Sequence, residues 1–233
     1  MLKDISISSS VFKIIPSFQC GVNIYRNIVI DDSPGMLRGR VDFFHKQIQM
    51  DLLDQSIYDY TGVRQWQQIL EHAGLIDRSL PPLHEQLYKN LQADNIPPSE
   101  HSAEDLIHFF NLQYETPVIL IDADTVFDYV KIGFGVEQDQ LQITENHLHP
   151  MYGQIIAKDR KKTLASLSGP GLDSRTSRST TTAIQLTFIR PQLSKESAEE
   201  LTQAVGDMFT QIHGGTSESR LLRAASPVWE FSL

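Results

Sequence analysis

Cysteine occurs once in the 233 residues, as Cys20, so neither an internal disulfide nor a cysteine-cluster zinc site can form within the chain. Long apolar runs are missing too; none approaches the roughly 20 residues that cross a bilayer. The opening MLKDISISSS has charged and polar residues where a signal peptide carries its apolar segment, and a cytoplasmic location is expected. Positive charge is in deficit, with 20 Lys and Arg against 29 Asp and Glu and a net charge of −9. A surface of that sign does not attract nucleic acid as a whole, so any such contact needs a local patch. The sequence also lacks a GxGxxG turn after a strand, a P-loop and a GxSxG elbow. The small-residue stretch SLSGPG (166–171) has no Lys of the kind a nucleotide loop carries, and reads as a tight turn or a backbone-lined wall.

What is present is the composition of a soluble globular protein, 40% hydrophobic and 21% charged, with enough length for a substantial core. VNIYRNIVI (22–30) is β-branched and partly alternating, which predicts a strand. Asp32 and Ser33 before Pro34 predict a helix start, and Leu37, Val41, Phe44, Ile48 and Leu52 share one helical stripe after it. Further helices are expected over 63–73, closed by Gly74, and over 82–93. The loop 95–102 ends in Ser102, an expected N-cap with Asp105 three residues on, and that helix runs until Pro117 stops it. VILI (118–121) reads as a buried strand, followed by the short strands YVKIGFG, LQITE, GQIIAKD, KTLASL and TTAIQLTFI. Ser194 caps a last helix that stops at a Gly-Gly pair, and VWEFSL reads as an edge strand. The chain is thus helix-rich over 1–117 and strand-rich over 118–191, with a closing helix and tail over 192–233. That order predicts one α+β domain spanning 1–233, with a mainly antiparallel sheet and flanking helices.

Three groups of residues carry possible chemistry. His101 and His108 lie seven apart, two turns along one helical face, and are either site residues or structural histidines. In ENHLHP, an extended segment would put Glu145, His147 and His149 on one face, a set that suits zinc or iron but equally a surface hairpin. No further ligands accompany it, and no metal or other cofactor is expected. Lys158, Arg160, Lys161 and Lys162, with Arg175 and Arg178 after them, form the local basic run; the alternative is a solvated hairpin or loop.

The order of segments resembles the B3/B4 domain, the editing domain of the bacterial phenylalanyl-tRNA synthetase β subunit, and more closely the free-standing proteins built from that domain alone. VFKIIPSFQCGVNIYRNI resembles the family's opening strand, VRQWQQILEHAG its Trp-containing helix, and PPLHEQLYKNL its proline-led helix. AEDLIHFFNLQYETPVILIDAD (103–124) is similar to the family core without gaps, HPMYGQIIAKD to a later strand and SRSTTTAIQLTFI to the approach to the last core strand.

The resemblance implies hydrolysis, in trans, of the ester joining a wrong amino acid to the terminal ribose of its tRNA, typically tyrosine in the synthetase. That ester is labile, so positioned water and a polarised carbonyl suffice, without metal or covalent nucleophile. The family's Thr-Asn pair falls on Ile107 and His108, its strand histidine on Ile119, and its glutamate on Leu186 or Thr187. Its small-residue wall is partly kept as Ala165, Ser166 and Gly169, while Asp105 and Asp122 match. The site expected on this basis has His108, Asn111 and Asp105 as catalytic residues. Ser166, Gly169, Thr187 and Asp122 would form the substrate wall, and Lys158, Arg160, Lys161, Lys162 and Arg178 would hold the aminoacylated 3′ end of tRNA. Two other classes remain: a module that binds the aminoacyl group without cleaving it, and a protein–protein module with a vestigial pocket.

Overall fold

In a computed structural model, the description covers residues 2–75, 77, 79–96, 98 and 100–231. Part of the loop 95–102 and the end of the VWEFSL tail therefore lie outside the described residues. The first half runs β1 (Asp4–Ile7), α1 (Ser9–Ile14), β2 (Gln19–Arg26), α2 (Gly35–Asp51), α3 (Thr61–His72), α4 (Leu83–Gln92) and α5 (Ser102–Gln113). The second runs β3 (Val118–Asp122), β4 (Tyr129–Phe134), β5 (Gln140–Thr144), β6 (His147–Pro150), β7 (Ile155–Lys158), β8 (Thr163–Ser166), β9 (Gly169–Pro170) and β10 (Thr182–Ile189). It closes with α6 (Lys195–His213), β11 (Thr216–Arg223) and β12 (Val228–Glu230).

The fold is α+β with mainly antiparallel sheets. A four-stranded sheet has the order β11-β2-β10-β3, and a six-stranded one the order β12-β1-β4-β7-β8-β9. Only the β1–β4 pair is parallel among the described pairings. Strand β10 explains the layering, because its side chains alternate between two buried faces. Ile184, Leu186 and Phe188 join Cys20, Val22 and Ile24 of β2 in a core shared with Ile5, Val130, Ile132 and Ile155 of the other sheet. Ala183, with Tyr25, Val118 and Leu120, turns the other way and packs on Leu106 and Phe110 of α5 and Val205 and Phe209 of α6.

The helix boundaries follow local chemistry. Gly74 takes φ +68 directly after α3, a left-handed turn that costs glycine nothing. Ser194 caps α6 by accepting from the Ser197 N–H. At α5 the cap is His101 rather than Ser102: the His101 Nδ1 accepts from the Glu104 N–H at 3.1 Å. Ser102 is unavailable for capping because its hydroxyl is engaged with His213 and the Asp31 N–H. Strand β2 stops at Arg26, short of the expected Ile30, where Asn27 adopts φ 57 and breaks the extended run.

Candidate functional site

Helix α5 and strand β3 meet at a rigid corner. The Asn111 amide donates to the Ile107 carbonyl at 2.9 Å and the Val118 carbonyl at 2.7 Å, and its Oδ1 accepts from the Val118 N–H at 3.1 Å. Asn111 is fully buried, so this is a stitch between helix and strand, and none of its polar hydrogens is left for a substrate. One helical turn before it, the other edge of α5 opens on a cavity of about 170 Å³. His101, Glu104 and His108 line it from the helix, Gln86 from α4, Gly169 from β9, and Ser168 and Arg175 from the loops on either side of β9. Leu83, Ile107, Ile119, Ile143 and Pro170 supply an apolar wall.

The polar groups in this cavity are unevenly satisfied. The His101 Nδ1 is an acceptor, so its proton sits on Nε2 and is donated to the Thr176 carbonyl at 3.1 Å. Arg175 spends one N–H on the Ile143 carbonyl at 2.8 Å, leaving the rest of its guanidinium uncommitted to that contact. Glu104 Oε2 is buried without a hydrogen-bond partner among the described residues. Burial, then the charge of Glu100, holds the Glu104 carboxyl above the usual carboxylate range. The His108 ring makes no hydrogen bond among the described residues, and burial depresses its imidazole to about 4 despite the opposing charge of Asp105. It is therefore neutral at physiological pH, with one nitrogen free to accept a proton.

The remaining expected residues lie elsewhere. Asp105 is buried beside the cavity but does not line it; it accepts a short hydrogen bond from Ser33 Oγ and acts electrostatically on His45 of α2. Thr187 is wholly buried within the sheet, in a chain where Tyr25 donates to Gln185 at 2.9 Å and Gln185 donates to Thr187 at 3.1 Å. Asp122 caps the turn after β3, accepting from the Asp124 N–H at 2.9 Å and Thr180 Oγ1 at 2.6 Å. Ser166 faces a different cavity, of about 390 Å³, which also contains Glu71, Asp77 and Glu85. Ser168 lines both cavities, so the small-residue wall has two sides, with Ser166 on one and Gly169 on the other. Ser102 donates to His213 Nε2 at 3.0 Å, a serine–histidine pair; both are buried and neither lines these two cavities, so it offers no accessible nucleophile.

The basic run is folded into ion pairs. Asp159 organises the turn between β7 and β8 by accepting from the N–H groups of Phe127, Lys161 and Lys162. The side chains then leave in different directions. Lys158 pairs with Asp139 at 2.8 Å, Lys162 with Asp173 at 2.7 Å, and Arg160 reaches Asp128 only at 4.0 Å. Lys161 lies over the Phe127 ring, 3.8 Å from its centre. Arg178 is held between Asp31 at 2.9 Å and Asp32 at 2.5 Å. Among Lys158, Arg160, Lys161, Lys162 and Arg178, unpaired cationic surface is left chiefly at Arg160 and Lys161. The His147 and His149 rings stack edge to face on a hairpin, and among the described residues no group of three or more His, Cys, Asp or Glu is placed to hold a metal. Among the same residues no helix is long and apolar enough to cross a membrane.

Of the cavity's polar residues, Glu104 was not singled out in the sequence, and Arg175 was expected only as part of the basic run. Glu104 was accessible by counting, since it is three residues from His101 and four from His108 on the same helical face. Arg175 arrives from a loop far along the chain, and no local spacing marks it.

No family model matches the chain. Over 214 residues it is 27% identical to the uncharacterized protein YhzB of Bacillus subtilis (strain 168), covering 91% of this chain and 96% of that one. Among solved structures, an N-terminal fragment of the phenylalanyl-tRNA synthetase β-subunit from Pyrococcus horikoshii superposes with a TM-score of 0.42 and 8% identity. That match covers 91% of this chain and 49% of the fragment, so the chain spans about half the fragment's length.

Proposed function

We propose that the chain is a free-standing B3/B4-type domain, residues 1–233 acting as one unit, that deacylates misacylated tRNA in trans. The observation that carries the reading is His108: a neutral imidazole without a hydrogen-bond partner, on the wall of a cavity at the α5–β3 corner. The sequence resemblance over AEDLIHFFNLQYETPVILIDAD supplies the reaction class. A water held by His108 attacks the ester carbonyl and passes its proton to the free ring nitrogen. The carbonyl oxygen gathers negative charge within reach of the Arg175 guanidinium. Collapse expels the ribose hydroxyl, which recovers the proton from His108, giving a free amino acid and deacylated tRNA. A base near 4 is weak, but the ester is labile and the neutral form is fully populated above about pH 5.

A second reading, aminoacyl binding without cleavage, has its own support: of His108, Asn111 and Asp105, only His108 lines the cavity. Incubation with a panel of labelled aminoacyl-tRNAs, followed against buffer, separates the two. Acceleration on at least one member is expected, with a drop of about 10²-fold or more in His108→Ala. No acceleration on any member refutes the hydrolase reading, and retained binding then selects the second.

A further inference from the structure

The cavity holds a carboxylate oxygen without a hydrogen-bond partner. Glu104 Oε2 is buried with none among the described residues, and its neighbour one turn earlier, Glu100, lines the same cavity with the same charge. Leaving a charged acceptor unsatisfied costs more than leaving a neutral one, and a second carboxylate beside it raises that cost. Arg175 acts on the charge of Glu104 but forms no ion pair with it within 4 Å. The chemistry missing from this spot is a compact cationic donor. Leu83, Ile107, Ile119, Ile143 and Pro170 also line the cavity, with apolar side chains that have nothing to offer a polar group. A cavity of about 170 Å³ is slightly larger than the roughly 150 Å³ that accepts benzene in an engineered apolar core.

We propose that Glu104, seconded by Glu100, is an ammonium anchor, and that this cavity takes an α-amino acid unit with a free α-amino group and an apolar side chain no larger than a single ring. The ammonium donates to Glu104 Oε2, the side chain lies along the Leu83–Ile119 wall, and the carbonyl carbon faces His108 and Arg175. Such a site rejects N-acylated units, which carry neither the charge nor the spare N–H groups. The inference rests on the proposed reading for its choice of cavity, but it concerns binding and stands or falls separately from cleavage.

Leucinamide and N-acetyl-leucinamide, neither of which has an ester to hydrolyse, are the probes, titrated into the full chain by NMR or calorimetry. Leucinamide is expected to bind at least about ten-fold more tightly, the value of one charge-assisted hydrogen bond. Glu104→Gln should abolish that preference while keeping the thermal transition, and Glu100→Gln should weaken it about two- to three-fold, as loss of a through-space charge contribution would. Equal affinities, absence of binding by both amides, or a preference unchanged in folded Glu104→Gln overturns the proposal. Should Glu104→Gln not fold, an unchanged preference in Glu100→Gln overturns it in the same way. Ammonium selectivity without cleavage of any aminoacyl-tRNA sustains this inference and removes the hydrolase. Cleavage of aminoacyl-tRNA and its N-acetyl form at equal rates does the reverse.

Discussion

His84 predicts how the protein responds to acid. It lies wholly buried in α4, and neither ring nitrogen has a partner among the described residues. Burial, helped by the nearby charge of Arg190, lowers its imidazole from the ordinary 6.5 to about 3. The unfolded chain binds this proton below 6.5 and the folded chain refuses it until about 3. The stabilisation is therefore complete above 6.5 and lost progressively as pH falls between those values. At about pH 4.5 the unfolded imidazole is about two units below its midpoint, which removes about 3 kcal/mol. His84→Leu deletes both the titration and the two orphaned nitrogens. Urea unfolding, read through the fluorescence of Trp66 and Trp229, should find the variant at least as stable as the parent near neutral pH. Between about pH 7.5 and about pH 4.5, its stability should fall by about 3 kcal/mol less than that of the parent. Parallel stability curves for the two proteins would refute the reasoning, because they would mean that His84 takes up its proton without unfolding.

Two more predictions come from residues that the structure assigns differently from sequence reading. Asn111→Leu keeps approximate volume but strands the Val118 N–H and the Val118 carbonyl, at a cost of about 2–4 kcal/mol. A lower urea midpoint with an unchanged m-value is the expected signature. For tRNA, Arg160→Ala and Lys161→Ala should each reduce the slope of log K against log salt by about 0.7–0.9, while Lys158→Ala, whose ammonium already neutralises Asp139, should change it little. Equal changes at all three positions in filter binding across a salt series would show that the ion pairs open on binding.

The helical framework was legible because it depends on short-range rules. The stripe Leu37, Val41 and Ile48 is buried as its period requires, and Gly74 and Ser194 end and start their helices by local backbone chemistry. Strands β1 and β11 were not legible. β1 is four residues long and gains its place by pairing in parallel with Tyr129–Ile132, more than a hundred residues away. β11 exposes most of its first half, TSESR, and so lacks the apolar alternation that marks a strand. The hydrogen bonds of Asn111 were not legible either. A buried amide near a helix end reads equally as a catalytic group or as a stitch, and only the position of Val118 decides between them.

The same geometry explains why framework and site share one helix without interfering. Successive residues turn by about 100°, so His101, Glu104 and His108 fall within an arc of about 60°, and that arc faces the cavity. Asp105 lies about 60° to one side of His108 on this wheel and is taken up by Ser33, while Ser102, about 60° further round, is taken up by His213. Asn111 lies about 60° to the other side and is consumed by β3. The buried polar side chains outside the arc, Ser102, Asp105 and Asn111, are thus spent on fixing α5 against another element, and Glu104 and His108 lie inside it. A helix held this firmly on both flanks keeps a carboxylate with one unsatisfied oxygen and a neutral imidazole in place, because the movement that would relieve them would break the flanking bonds. That pre-organisation, rather than any single residue, makes the α5–β3 corner the place to look for the ligand.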